Sequence, residues 1–109
     1  MPNPVFKELR LADARITKLM LEGTTVVLII HDWQEKPIAL EFKETIGIEA
    51  FGVLNADLGS VTESTTDPLI ATACGLAEEP NRGFQCYSLF SAWNEKPLIK
   101  IIARSWKIN

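Results

Sequence analysis

The string Trp33-Gln34-Glu35-Lys36-Pro37 and its near copy Trp93-Asn94-Glu95-Lys96-Pro97, 60 residues further on, limit what this chain can become more than anything else in it. Proline has no N–H to give to a strand ladder, and its ring forces the preceding residue into an extended conformation. Each Lys-Pro therefore marks the opening of an outgoing strand. The Glu-Lys pair then sits at an exposed tip, and apolar runs flank it on both sides. Two β-hairpins follow, and with them antiparallel sheet. Extending the match to Ile38 and Leu98 gives four identities in six. Beyond it Leu40, Phe42, Ile46 and Ile48 align with Lys100, Ile102, Trp106 and Ile108, so the pattern is only partly kept. Duplication of a hairpin into a pseudo-twofold sandwich or barrel is one explanation. Independent use of the same turn chemistry is the other, and the narrowness of the match favours it.

The segments around these turns read as strands. From Ile38 to Ile48 the chain alternates, with Ile38, Leu40, Phe42, Ile46 and Ile48 on one face and Glu41, Lys43, Thr45 and Glu49 continuing the other; Glu44 is the one charge on the apolar side. That pattern predicts one half-buried strand. Thr24 to Ile30 is β-branched and apolar on both faces, which predicts a central strand covered on both sides. Ala14 to Glu22 predicts another, joined to it by a tight turn around Glu22-Gly23. Phe84 to Trp93 and Pro97 to Ile108 form the second pair, and the latter, apolar on both faces, is expected inside a sheet. Leu58 to Ser64 reads as a loop or weak edge strand, and Glu78 to Gly83 as a turn. Asp67 as N-cap, Pro68 in the first turn and Gly75 as terminator predict a short helix, with a strand over Leu69 to Ala73 as the competing reading. The expected fold is mainly β with one short helix, an antiparallel sandwich or half-open barrel built from hairpins.

At 109 residues the chain makes a single domain, 1–109, large enough to fold without metal or disulfide staples. No basic stretch followed by an apolar segment opens it, and the apolar run Val26–Ile30 falls far short of the ~20 residues a membrane span needs. A cytosolic protein is expected, one in which Cys74 and Cys86 stay thiols.

Net charge is −3, unevenly spread: residues 1–34 sum to 0, residues 35–80 to −7 and residues 81–109 to +4. An acidic middle segment disfavours nucleic acid and suits a basic partner. The competing reading is that strands of the two charged segments lie side by side and neutralise one another.

Chemistry is sparse. His31 is the one histidine, and Cys74 and Cys86 lack zinc-finger spacing, so no metal site is expected. His31-Asp32 beside a serine would suit a hydrolase, but no Gly-x-Ser-x-Gly elbow exists, and adjacent strand residues point to opposite faces. Neither phosphate-binding nor dinucleotide-binding glycine patterns are present. Pairs such as Glu41 and Glu44, or Glu78 and Glu79, read as solvated carboxylates. No catalytic residue and no cofactor is assigned. Trp33 and Trp93, each beside a turn, either anchor a partner or pack across their strand pair.

Asp13-Ala14-Arg15-Ile16, Val26 to Trp33 and Ile38-Ala39-Leu40-Glu41-Phe42 together resemble the amino-terminal half of small β-rich bacterial families, among them immunity proteins of polymorphic-toxin and contact-dependent inhibition systems. The resemblance covers less than half the chain and rests on hydrophobic spacing. It implies a non-enzymatic protein that binds and blocks a cognate toxin, and it carries over no fixed binding residue. The expectation is a cytosolic immunity protein for a basic, nuclease-type toxin, with Trp33, Glu35, Glu41, Glu44, Glu49, Asp57 and Glu63 as the partner-binding set. A small-ligand-binding barrel or minor enzyme is the alternative.

Overall fold

The computed structural model describes residues 6–80, 82–93 and 95–109. A short 3-10 helix at Phe6–Glu8 precedes β1 (Arg15–Glu22), β2 (Thr25–His31), β3 (Pro37–Lys43), β4 (Gly47–Ala50) and β5 (Leu58–Ser64). Helix α1 (Pro68–Ala77) follows, then β6 (Gln85–Ser91), β7 (Pro97–Ala103) and β8 (Ser105–Ile108). Both hairpins form where the prolines place them: His31 pairs with Pro37 between β2 and β3, and Phe90 pairs with Pro97 between β6 and β7. Asn94, in the second turn, lies outside the described residues. Glu22 pairs with Thr25 across the loop Gly23-Thr24, where Gly23 takes a φ of +59° that a side chain would resist.

The strands make two antiparallel four-stranded sheets, in the orders β1-β2-β3-β8 and β4-β7-β6-β5. They face each other as a sandwich and do not close into a barrel. Ile16, Val26, Leu28, Ile30, Leu40 and Phe42 of the first sheet meet Leu58, Val61, Tyr87, Leu89, Ile99, Ile101 and Ala103 of the second in one apolar cluster. Each buried Val, Leu, Ile or Phe side chain among these contributes about 1.5–3 kcal/mol, an upper figure because unfolded chains already bury some surface. Phe6 sits at the centre, its ring edge-on to Phe42, Tyr87 and Trp106 at 6.0, 4.9 and 5.1 Å. β2 is central in its sheet, as expected, but its second face has only partial cover: Val27 is buried, Ile29 half-buried, and neither joins an apolar cluster.

Two segments that read as single strands are broken. The chain from Ile38 to Ile48 passes from the first sheet to the second at Glu44-Thr45-Ile46, and the chain from Pro97 to Ile108 passes back at Arg104. The crossings lie side by side, with Ile46 N donating to the Ile102 carbonyl at 2.9 Å and Arg104 N to the Lys43 carbonyl at 3.1 Å. Glu44 marks the break because a straight strand would bury it with Phe42. Its left-handed backbone (φ 54) costs roughly 1–2 kcal/mol, less than an unpaired buried carboxylate. The crossing also turns Ile46 to the helix side of the second sheet, away from the main core. As a result β7 is interior, as expected, whereas β8 is an edge strand.

Helix α1 begins as its sequence says: the Asp67 carboxylate accepts the Leu69 amide at 2.9 Å, and Pro68 is the first helical residue. It does not stop at Gly75. It runs to Ala77 and ends at Glu78, which takes the left-handed conformation while the Glu79 amide donates to the Cys74 carbonyl at 3.0 Å. Ile70, Ala73 and Cys74 pack on Phe84, Cys86 and Ile102, the outer face of the second sheet. Gly47 lets β4 pass under the helix, since a Cβ there would lie 3.1 Å from that of Ala73.

Candidate functional site

The seven acidic and aromatic residues singled out by sequence do not form one face. Glu41 lies opposite Lys107 in the β3–β8 ladder and contacts it at 3.1 Å, with a second bond from the Asn109 amide at 2.9 Å. Those donors, Asn109 first, hold its carboxyl below the ordinary range. Glu44 pairs with Arg104 at 3.3 Å. Glu49, on β4, stands opposite Lys100, and Glu63, on β5, stands opposite Tyr87. Asp67 and Glu79, also from the acidic segment, bind Lys100 at 2.9 Å and Arg104 at 3.7 Å. The acidic middle of the chain is thus laid against its basic end, which is the neutralising arrangement and not a bare acidic face.

Glu35 and Asp57 do come together at Arg15, and Trp33 shares the turn that carries Glu35. The first tip is shaped by Asp32, whose Oδ1 accepts the amides of Gln34 and Lys36 at 2.9 Å each. Glu35 takes a φ of 63° in that turn, and its carboxylate meets the Arg15 guanidinium in a two-bond fork, 2.7 Å on each side. The hydrogen bond raises the Arg15 pKa and lowers that of Glu35. Arg15 is also the residue of β1 that bridges Asp57 at the start of β5, where the two sheets meet. Asp57 in turn holds the second tip: its carbonyl accepts the Ala92 amide at 2.9 Å, and its Oδ2 receives the Trp93 indole N–H at 3.5 Å. The Glu35–Arg15 fork and the Asp57–Trp93 contact therefore meet at the backbone bridge between Arg15 and Asp57, which sets the two tips near one another. Sequence reasoning placed Trp93 beside a turn but had no means to connect it to Arg15.

Both indoles project into solvent. Trp33 is 71% and Trp93 84% exposed, so neither packs across its strand pair. A groove of 600 Å³ runs beside Trp93, bounded by Ser60, Thr62, Phe90, Ser91 and Glu95. Its floor is tight: a Cβ on Gly59 would lie 3.0 Å from the Ala92 Cα, so only glycine allows this approach. His31 sits behind the first tip with Nδ1 2.9 Å from the Thr17 hydroxyl.

On the outer face of the second sheet, Cys86, Ser88, Lys100 and Asp67 are neighbours. Burial pushes the Cys86 thiol up, and its Sγ lies 3.6 Å from the Ser88 hydroxyl. The Asp67 hydrogen bond raises Lys100, which is therefore a charged donor and not a general base. This cluster fastens the start of α1 to β6 and β7. Burial, and then the charge of Glu63, push the Tyr87 phenol up to about 12. Among the described residues no group of three metal-ligating side chains is assembled, and no helix is long and apolar enough to cross a membrane. Both cysteines are free and buried.

The fold and these tips define a β-sandwich with two exposed, tryptophan-bearing hairpins. Comparison with protein families, with curated proteins and with solved structures found no match.

Proposed function

We propose that this chain is a cytosolic protein-binding domain of the immunity type, which neutralises a cognate toxin by holding it at the two hairpin tips. The observation that carries the reading is the exposure of Trp33 and Trp93 beside two turns whose described residues are held by side-chain hydrogen bonds. Large aromatics on an ordered scaffold lose little conformational entropy on binding, and Trp is enriched among residues that dominate interface energy. The contact set consists of Trp33, Glu35, Asp57 and Trp93. Glu41, Glu44, Glu49 and Glu63 lie elsewhere, and Glu41 and Glu44 already have cationic partners. An interior ligand chamber has less to support it, since Phe6, Leu28, Leu40, Phe42, Leu89 and Ile101 fill the space between the sheets.

The test is co-expression with the toxin-like product of the gene next to its own, scored by growth, with affinity measured on the purified pair. Trp33→Ala combined with Trp93→Ala is expected to abolish protection and weaken binding by about 30-fold or more. Its melting temperature should stay at the wild-type value because both side chains are exposed. Glu41→Gln should protect fully. Undiminished protection by the double tryptophan variant would refute the reading.

A further inference from the structure

We propose that the groove beside Trp93 receives an arginine side chain of the partner. This rests on the binding reading and names the chemistry of one contact within it. The groove presents an indole 84% exposed, a second ring from Phe90, the Glu95 carboxylate, and hydroxyls from Ser60, Thr62 and Ser91. Among the described residues none of its lining side chains is cationic, and Glu95 has no ion pair. A ring face beside a carboxylate attracts a cation through the quadrupole of the ring and the charge of the acid, and Trp is the strongest such ring.

Elsewhere the molecule holds an arginine within a comparable set of groups. At the strand crossing, the Arg104 guanidinium carbon lies 4.3 Å from the Phe84 ring centroid. Its nitrogens reach the Glu44 carboxylate at 3.3 Å, the Glu79 carboxylate at 3.7 Å and the Arg82 carbonyl at 3.3 Å. A ring, an acid and further oxygen acceptors are there satisfied by one arginine from the same chain. The Trp93 groove has the ring, the acid and the oxygen acceptors, and is open to solvent. A planar guanidinium suits it better than an ammonium, because it stacks on the indole while its edge donates to Glu95 and the hydroxyls.

The test uses the full-length protein, labelled for NMR, with the Trp93 indole N–H assigned by its loss in Trp93→Phe. A blocked Gly-Arg-Gly-Arg-Gly peptide is titrated against its citrulline counterpart, which keeps the shape and loses the charge. The arginine peptide is expected to shift the Trp93 indole saturably, the citrulline peptide to bind about tenfold more weakly, and Glu95→Gln to remove most of that difference. Equal binding of the two peptides, or shifts of the same size at Trp33 and Trp106, would overturn the assignment. So would the absence of any shift. If the peptide fails while the double tryptophan variant still loses the toxin, the arginine site falls and the binding role stands; the opposite pattern retains the arginine site and removes the toxin.

Discussion

The two hairpins share a tip sequence and, as far as a register shift at Leu89/Phe90, a strand pairing, yet they present opposite faces to the core. Leu28 pairs with Leu40 in the first, and Ser88 with Lys100 at the matching positions of the second. Leu28 and Leu40 point inward, while Ser88 and Lys100 point outward, and it is Tyr87, Leu89, Ile99 and Ile101 that enter the core. The physical cause is in the side chains. Turning the second hairpin as the first is turned would bury the Lys100 ammonium without a partner, whereas its other face offers Tyr87, Leu89, Ile99, Ile101 and Ala103. The tips also differ in support. Asp32 organises the first from within, whereas the second has Ala92 at that position and leans on Asp57 and on Ser91, whose hydroxyl accepts the Trp93 amide at 3.1 Å.

The sheets nonetheless have matching orders, each made of three successive strands plus the last strand of the other half. Residues matched by the repeated motif fall on corresponding strands of that arrangement, β2 with β6 and β3 with β7, but turn opposite faces to the core.

The comparison is open to direct attack. The largest effect is expected at the matched pair Phe42 and Ile102, one in the aromatic centre and the other under α1. Phe42→Ala should cost about 3–5 kcal/mol in denaturant unfolding and Ile102→Ala about 2–4, the latter with a loss of helical circular dichroism near the midpoint. A larger cost for Ile102→Ala would mean that the helix-covered face, not the space between the sheets, is the main core. A smaller effect belongs to Asp32. Its replacement by alanine frees two turn amides and should cost about 1 kcal/mol, broadening amide signals of the first tip and leaving the Trp93 indole unmoved. A change at both tips would show that the Arg15–Asp57 bridge transmits strain between them.

The smallest effect is a pH dependence from the outward face of the second hairpin. Burial pushes the Asp67 carboxyl up, but bonds from Lys100 and the Leu69 amide outweigh it, so its folded pKa lies below the ordinary 3.8. A depressed carboxyl stabilises the fold above its unfolded pKa, and that stabilisation is lost as pH falls through the folded value. Asn at this position still caps the helix, so Asp67→Asn should lower the melting temperature at pH 7 and converge with wild type as the pH falls through the folded value. A constant gap at all pH values would assign the effect to something other than this ion pair.

Much of the fold was legible. Turn prolines, β-branched runs and the Asp67-Pro68 cap are local properties, and they placed both hairpins and the start of α1, while Leu58 to Ser64, read as a loop or weak edge strand, is the edge strand β5. The crossings at Glu44 and Arg104 were not legible as breaks, because alternation continues through them; only Glu44, a charge on the apolar side, hinted at one. The end of α1 was misplaced because Gly75 suits a terminator but the continuing chain found its cap at Glu78. The acidic candidates were scattered for a related reason. Charge summed along a segment is blind to which strand lies alongside, and here Lys100, Arg104 and Lys107 lie beside that segment.

The sequence by itself determined the two tryptophan tips, because proline geometry and strand alternation act over a few residues and need no distant partner. Only the tertiary structure decided which face of each hairpin is buried, which carboxylates are neutralised, and that Arg15 and Asp57 join the tips. Each of those depends on residues far apart in the chain meeting across a ladder or a sheet edge, and such meetings are set by the packing of the whole core.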